Sequence, residues 1–137
     1  MDFEYEIKGG DFSRAGFASS HLKKILKQIN IDLKLIKKIV IALYEAEVNI
    51  VAHAFEGRIR VHIETNRISM EVSDKGPGIE DIDKAMEDGY STASEEVREM
   101  GFGAGMGLSN IKNNSDELEI NSTVNEGTEL KIVKRLK

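Results

Sequence analysis

The chain has 137 residues, of which 40% are hydrophobic and 31% charged, and a formal net charge of −5. That size suits a single domain, residues 1–137, with a real core; no apolar run approaches the ~20 residues of a membrane span, and the acidic, alternating start Met1-Asp-Phe-Glu-Tyr-Glu is unlike a secretory leader. Zero cysteines exclude disulfides and thiolate metal sites and fit a cytoplasmic protein, while the negative balance argues against nonspecific nucleic-acid binding, which needs clustered lysine and arginine.

Phe3, Tyr5 and Ile7 alternate with acids and Lys8, the pattern of a half-buried strand closed by Gly9-Gly10. From about Ser13 to Ile29, Phe17, Leu22, Ile25, Leu26 and Ile29 form a helical stripe, with Asp11 or Ser13 as N-cap. Asn30-Ile31-Asp32 recaps a longer helix to about Phe55, which Gly57 ends. Lysines 23, 24, 27, 34, 37 and 38 sit at helical spacing and read as a solvated face.

Ile59, Val61, Ile63 and then Ile68, Met70, Val72 alternate on either side of Thr65-Asn66, a hairpin. Asp74 to Gly103 reads as loop with a short helical piece near Asp81–Glu87, and Asp88–Met100 has the Ser/Thr/Glu content of a lid. Leu118–Thr123 and Thr128–Val133 flank a turn at Asn125-Glu126-Gly127. Local strand pairs beside grouped helices predict an α+β two-layer sandwich, a mixed, mostly antiparallel sheet with helices on one face.

Four stretches carry chemistry. Gly101, Gly103, Gly105 and Gly107 precede the helical pattern of Leu108, Ile111 and Lys112. Bare N–H groups leading into a helix N-terminus can cradle a phosphate; a flexible hinge would use the same glycines. Walker A chemistry fails, because Gly107 is followed by Leu108 and Ser109 without a lysine, and the spacing does not fit a dinucleotide fingerprint. On the long helix Glu45 and Asn49 stand four apart, hence on one face, with His53 a turn further. A carboxylate and an amide so placed can orient a hydroxyl and bind a hard cation such as Mg²⁺; the alternative is a solvated stripe with Glu47 incidental, and His53 reads as a helix-end histidine. The period-2 count of Ile68–Val72 turns Asp74 inward at the strand end, before a tight turn at Pro77-Gly78. Such an acid can accept a bond from the exocyclic amine of adenine, or simply cap the turn; Thr128 could support it from a neighbouring strand.

In this order the four motifs, Glu-x-x-x-Asn, Asp-x-Gly-x-Gly-Ile, Gly-x-Gly-x-Gly-Leu and Gly-Thr, resemble the Bergerat (GHKL) ATP-binding domain shared by gyrase, Hsp90, histidine kinases and MutL. The resemblance covers nearly the whole chain, and the ending from Gly105 to Ile132 is most similar to the small bacterial anti-sigma-factor serine kinases and their switch-kinase relatives. It implies ATP and Mg²⁺ as cofactors, with Glu45 as general base toward an acceptor serine and Asn49 as the metal ligand. It also implies a nucleotide site made of Asp74, Gly76, Gly78, Ile79, the loop Gly103, Ala104, Gly105, Met106, Gly107 and Leu108, and Thr128. Some relatives carry an arginine just before the Gly-x-Gly step, where this chain has Gly103-Ala104 and Arg98 is the nearest candidate; that bears on transfer more than on binding. The implied partner is a small antagonist-type protein with an acceptor serine, or a sigma factor, and the first strand could form a homodimer edge. Two other readings are a nucleotide-dependent binding switch with little catalysis and a detached histidine-kinase catalytic domain; the latter lacks a preceding phosphoacceptor hairpin here. No membrane and no direct nucleic-acid partner is expected.

Overall fold

A computed structural model describes residues 1–87 and 107–137. The elements in chain order are β1 (Asp2–Lys8), a 3-10 turn (Phe12–Arg14), α1 (Phe17–Gln28), α2 (Leu33–His53), β2 (Glu56–Ile63), β3 (Arg67–Lys75), α3 (Ile82–Ala85), α4 (Gly107–Asn113), β4 (Glu117–Thr123) and β5 (Gly127–Arg135). The five strands form one sheet in the order β1-β2-β3-β5-β4. Every pairing is antiparallel, so the mixed component expected from sequence is not found among the described residues. The α+β layout itself is as expected.

Alternation decides the two faces of the sheet. Ile59, Val61, Ile68, Met70, Val72, Leu130 and Ile132 are buried against Leu22 and Leu26 of α1, Ile36, Ile39, Leu43, Ala46 and Ile50 of α2, and Leu108 and Ile111 of α4. Each such aliphatic side chain stabilises the fold by about 1.5–3 kcal/mol. The opposite face is polar, and its charges alternate across all five strands: Glu4, Arg60, Glu71, Lys131 and Glu119 stand in register. Arg58 reaches Glu4 at 2.9 Å and Arg60 reaches it at 3.6 Å, exposed pairs worth about 0–1 kcal/mol each.

The start of α1 corrects the sequence reading. The helix begins at Phe17, not near Ser13, because Gly16 adopts φ +95° and no local side chain caps the first turn. Asp11 instead accepts the Ser13 hydroxyl at 2.8 Å. The cap comes from α2: the Glu47 carboxylate, 1% exposed, accepts from the Ala18 amide at 3.0 Å and the Ser19 amide at 3.3 Å. A buried carboxylate is tolerable only with such donors, and a helix N-terminus supplies both N–H groups and a favourable dipole. Glu47 is therefore a structural tie between the two helices, not an incidental residue. Its negative charge, after burial, also pushes the Tyr5 hydroxyl above its usual pKa.

The other end of α2 also differs from expectation. Asp32 caps its start through the Lys34 amide at 2.8 Å, as predicted, but the helix stops at His53 and Gly57 lies inside β2. A Cβ on Gly57 would stand 2.7 Å from Ile50 Cδ1 and 2.9 Å from the Ser73 carbonyl. That glycine serves close passage of β2 beneath the helix rather than termination. Replacing Glu47 by alanine strips two amides of their acceptor. We expect Glu47→Ala to lower the unfolding free energy by about 1–3 kcal/mol in urea titrations, and an unchanged midpoint would refute the tie.

Candidate functional site

The last two turns of α2 and the first turn of α4 meet over polar side chains. Asn49 lies against Gly107, where a Cβ would stand only 3.1 Å from the Asn49 Oδ1. One turn earlier on α2, Glu45 accepts from Asn110 Nδ2 at 3.3 Å. Glu45 and Asn49 are half-buried, so the pair is neither a solvated stripe nor core. Asn110 escaped the sequence reading, although it stands three residues after Gly107 and therefore on the same helix face. His53, a further turn along, is held below the ordinary histidine range by burial and is neutral at physiological pH.

The second wall is built at the end of β3. Asp74 is half-buried, and burial pushes its carboxyl above the usual range while the Thr128 amide, donating to Oδ1 at 3.2 Å, pulls it back. The support expected from Thr128 thus comes from its backbone. Its hydroxyl lies 2.9 Å from Ser122 Oγ. Ser122 Oγ in turn accepts from the Ile79 amide at 2.7 Å and donates to the Gly127 carbonyl at 3.2 Å. With that proton so placed, the Thr128 hydroxyl donates to Ser122.

This network explains the glycines around it. Gly78 has φ +74°, fitting the predicted turn, and a side chain there would run into the Thr123 carbonyl. Pro77 O accepts from the Asn125 amide at 2.8 Å, pinning the turn to the β4–β5 connection. Gly76 is buried against Ala54, whose Cα would be 3.0 Å from an added Cβ. Gly127 passes the Asp74 carbonyl so closely that no Cβ fits. Gly76 thus holds the Asp74 turn to the end of α2, placing the two walls side by side. Ser122 was also missed, yet the same period-2 count that turned Asp74 inward places Ser122 with Leu118 and Ile120.

The structure therefore sets Glu45 and Asn49 against α4 at Asn110 and Gly107, and gathers Asp74, Gly76, Gly78, Ile79 and Thr128 at the end of β3, the two groups meeting where Gly76 packs on Ala54. Leu108 is buried in the core. Gly103, Ala104, Gly105 and Met106, together with Arg98 and the expected lid from Asp88, lie outside the described residues. Among the described residues no three His, Cys, Asp or Glu side chains cluster as a self-sufficient metal site. A lone amide oxygen suits a hard cation that brings water and phosphate oxygens as its remaining ligands.

An antiparallel sheet covered on one face by helices, with a Glu-x-x-x-Asn helix facing a strand-end aspartate, defines an ATPase domain of the kind found in histidine kinases. The chain belongs to that family: the profile of the histidine kinase-like ATPase domain matches residues 14–134. Over 123 residues it is 37% identical to the anti-sigma F factor of Caldanaerobacter subterraneus subsp. tengcongensis, covering 86% of this chain and 82% of that protein. Over 104 residues it is 36% identical to the serine/threonine-protein kinase RsbT of Bacillus subtilis, 73% of this chain and 72% of the relative. The fold also matches about a third of a solved structure, that of the RsbU and RsbW domains of Rv1364c from Mycobacterium tuberculosis, with a TM-score of 0.67 at 17% identity over 99% of this chain and 32% of the other. A second likeness, in the SiaB–SiaC complex of Pseudomonas aeruginosa, has a TM-score of 0.60 at 11% identity, covering 97% of this chain and 89% of the other. Membership in this family implies ATP use.

The raised Asp74 pKa has a sign that can be tested. A carboxyl whose folded pKa exceeds its unfolded value stabilises the fold only while protonated, and that contribution is lost as pH rises through the folded value. At neutral pH the ionised Asp74 is therefore a burden on the apo domain. Asp74→Asn keeps an oxygen for the Thr128 amide, so we expect a higher Tm than the parent at pH 7. The difference should shrink as the pH falls toward about 4, where a free aspartate also protonates. A lower Tm at pH 7 would contradict it.

Proposed function

We propose that the domain is an ATP- and Mg²⁺-dependent protein-serine kinase of the anti-sigma regulatory type, which phosphorylates, and between turnovers holds, a small regulatory protein. The observation that supports this best is the pairing of Glu45 and Asn49 against Gly107 and Asn110, beside a half-buried Asp74. In this reading Asp74 accepts a bond from the adenine amine, and Gly76, Gly78 and Ile79 give the base room. The run from Gly103 to Leu108 would offer its backbone N–H groups to the phosphates. Asn49 Oδ1 is the protein oxygen for Mg²⁺, which when bound neutralises phosphate charge.

Glu45 carries the chemistry. The acceptor serine loses its hydroxyl proton to the Glu45 carboxylate as its oxygen bonds to the γ-phosphorus, and the bond from phosphorus to the bridging oxygen breaks to leave ADP. Asn110 holds one oxygen of that carboxylate, which narrows its rotamers and aims the free lone pairs outward. The Gly103-Ala104 step lacks the arginine of some relatives, so a second reading is a switch in which ATP alters partner affinity with little transfer. The two separate on one residue, because a silent binder has no use for a base.

Calorimetry with ATP and a single-turnover assay using radiolabelled ATP and a candidate acceptor protein test the roles. Asp74→Asn should abolish nucleotide binding. Glu45→Gln should keep ATP affinity within a few-fold and slow transfer by about 10²–10⁴-fold. Retained transfer in Glu45→Gln removes it as the base, and unchanged affinity in Asp74→Asn removes the adenine assignment.

The partner surface also includes, in this proposal, a second copy of the chain. β1 is an edge strand, and antiparallel self-pairing centred on Tyr5 sets Asp2 opposite Lys8 and Phe3 opposite Ile7 across the two copies. Sedimentation should show a dimer that Asp2→Lys weakens and Asp2→Lys/Lys8→Asp restores. A monomer throughout, or no restoration, refutes this register.

A further inference from the structure

Charge is distributed very unevenly along this chain. Residues 12–44 hold seven of the nineteen basic side chains and a single acid, Asp32, in a chain whose net charge is −5. Lys34, Lys37 and Lys38 on α2 are all exposed. Among the described residues the ion pairs lie elsewhere, on the outer sheet face and at the strand ends, and none of these lysines has a carboxylate within 4.0 Å. A solvated face would need no particular direction. This one has a direction.

Helical geometry sets Lys34, Lys38, Ile41, Glu45 and Asn49 within an arc of about 80° on α2, flanked at its C-terminal end by the buried Ala42 and Val48. Ile36, Ile39, Leu43, Ala46 and Ile50 point the other way, into the core. The basic residues are thus continuous with the face that presents Glu45. At 1.5 Å per residue Lys38 stands about 10 Å from Glu45 along the axis and Lys34 about 16 Å. Between them Ile41 is half-buried, and at the tip Leu33 is 70% exposed.

We propose that this face of α2 is a docking track for an acidic, amphipathic segment of a protein partner. Its carboxylates pair with Lys34 and Lys38, with Lys37 at the flank, and its aliphatic side chains cover Ile41. Charge complementarity selects the partner's sign, and the apolar positions between the charges select a protein segment over a polyanion. Glu45 at the far end repels a phosphate-rich surface laid along the same face, which argues against a duplex or an anionic membrane. That the track delivers an acceptor hydroxyl to Glu45 rests on the kinase reading above; the docking itself does not. The partner then carries its acids about 10–16 Å from its acceptor serine.

The test uses the full chain and, as probe, a fluorescein-labelled helical peptide with glutamates and leucines at matching spacing. Its scrambled counterpart, mixed phosphatidylcholine–phosphatidylglycerol vesicles and a short DNA duplex serve as comparators. We expect the designed peptide to bind more tightly than all three. Lys34→Glu/Lys38→Glu should weaken it by at least about tenfold, and Lys34→Ala/Lys38→Ala by less, with ATP affinity unchanged in both. Amide ¹H–¹⁵N shifts should concentrate between Leu33 and Glu45. Equal binding to the charge-reversed protein, shifts centred elsewhere, or tighter binding of vesicles or duplex would overturn the proposal. The titration needs neither nucleotide nor transfer, so failure of Glu45 as a base would leave its outcome readable.

Discussion

The structure depends on a carboxylate kept where a carboxylate would rather not be. Asp74 ends β3 on the inward face, half-buried, with its pKa pushed up by burial. The rest of that wall exists to make the position tolerable. The Thr128 amide donates to it, Gly127 lets β5 pass its carbonyl, and Ser122 ties Thr128 to the Ile79 amide. An acid held in this way is poised for a neutral N–H donor, since a hydrogen bond to the charged form recovers part of the desolvation cost. On the proposed adenine reading, the ligand's amine would relieve that cost.

The opposite wall obeys a different rule. Glu45 and Asn49 come from consecutive turns of one helix, so their spacing is fixed by backbone geometry and not by packing. What packing adds is α4: Gly107 admits the Asn49 amide, and Asn110 steadies Glu45. Asn49 and Glu45 are thus both touched by the first turn of α4.

Legibility from sequence divides along the same line. Features set by local repeats were readable: the Asp32 cap, both hairpins, the inward Asp74, and the Glu45–Asn49 pair. Features set by contacts between distant segments were not. The true start of α1 depends on a carboxylate 28 to 29 residues away, and Gly57 resembles a helix stop until β2 is seen to run under Ile50. Ser122 and Asn110 lie between these cases. Their strand and helix periods pointed inward, but a lone polar residue at an inward position acquires meaning only when its partner on another element is known.

Core, tie and candidate site all meet on α2, whose 21 residues make it about 30 Å long. One face supplies the core, Glu47 on its flank anchors α1, and the remaining face runs from exposed lysines to Glu45 and Asn49. The division of labour follows the helical period: residues two apart, such as Glu45 and Glu47, point in widely different directions. Two glutamates of identical chemistry thus serve as candidate base and as buried tie. Because the tie fixes α1 against α2, it also fixes the exposed face relative to the sheet that carries Asp74. On the proposed reading, a partner docked along α2 would be registered against the Asp74 wall through this α1–α2 contact.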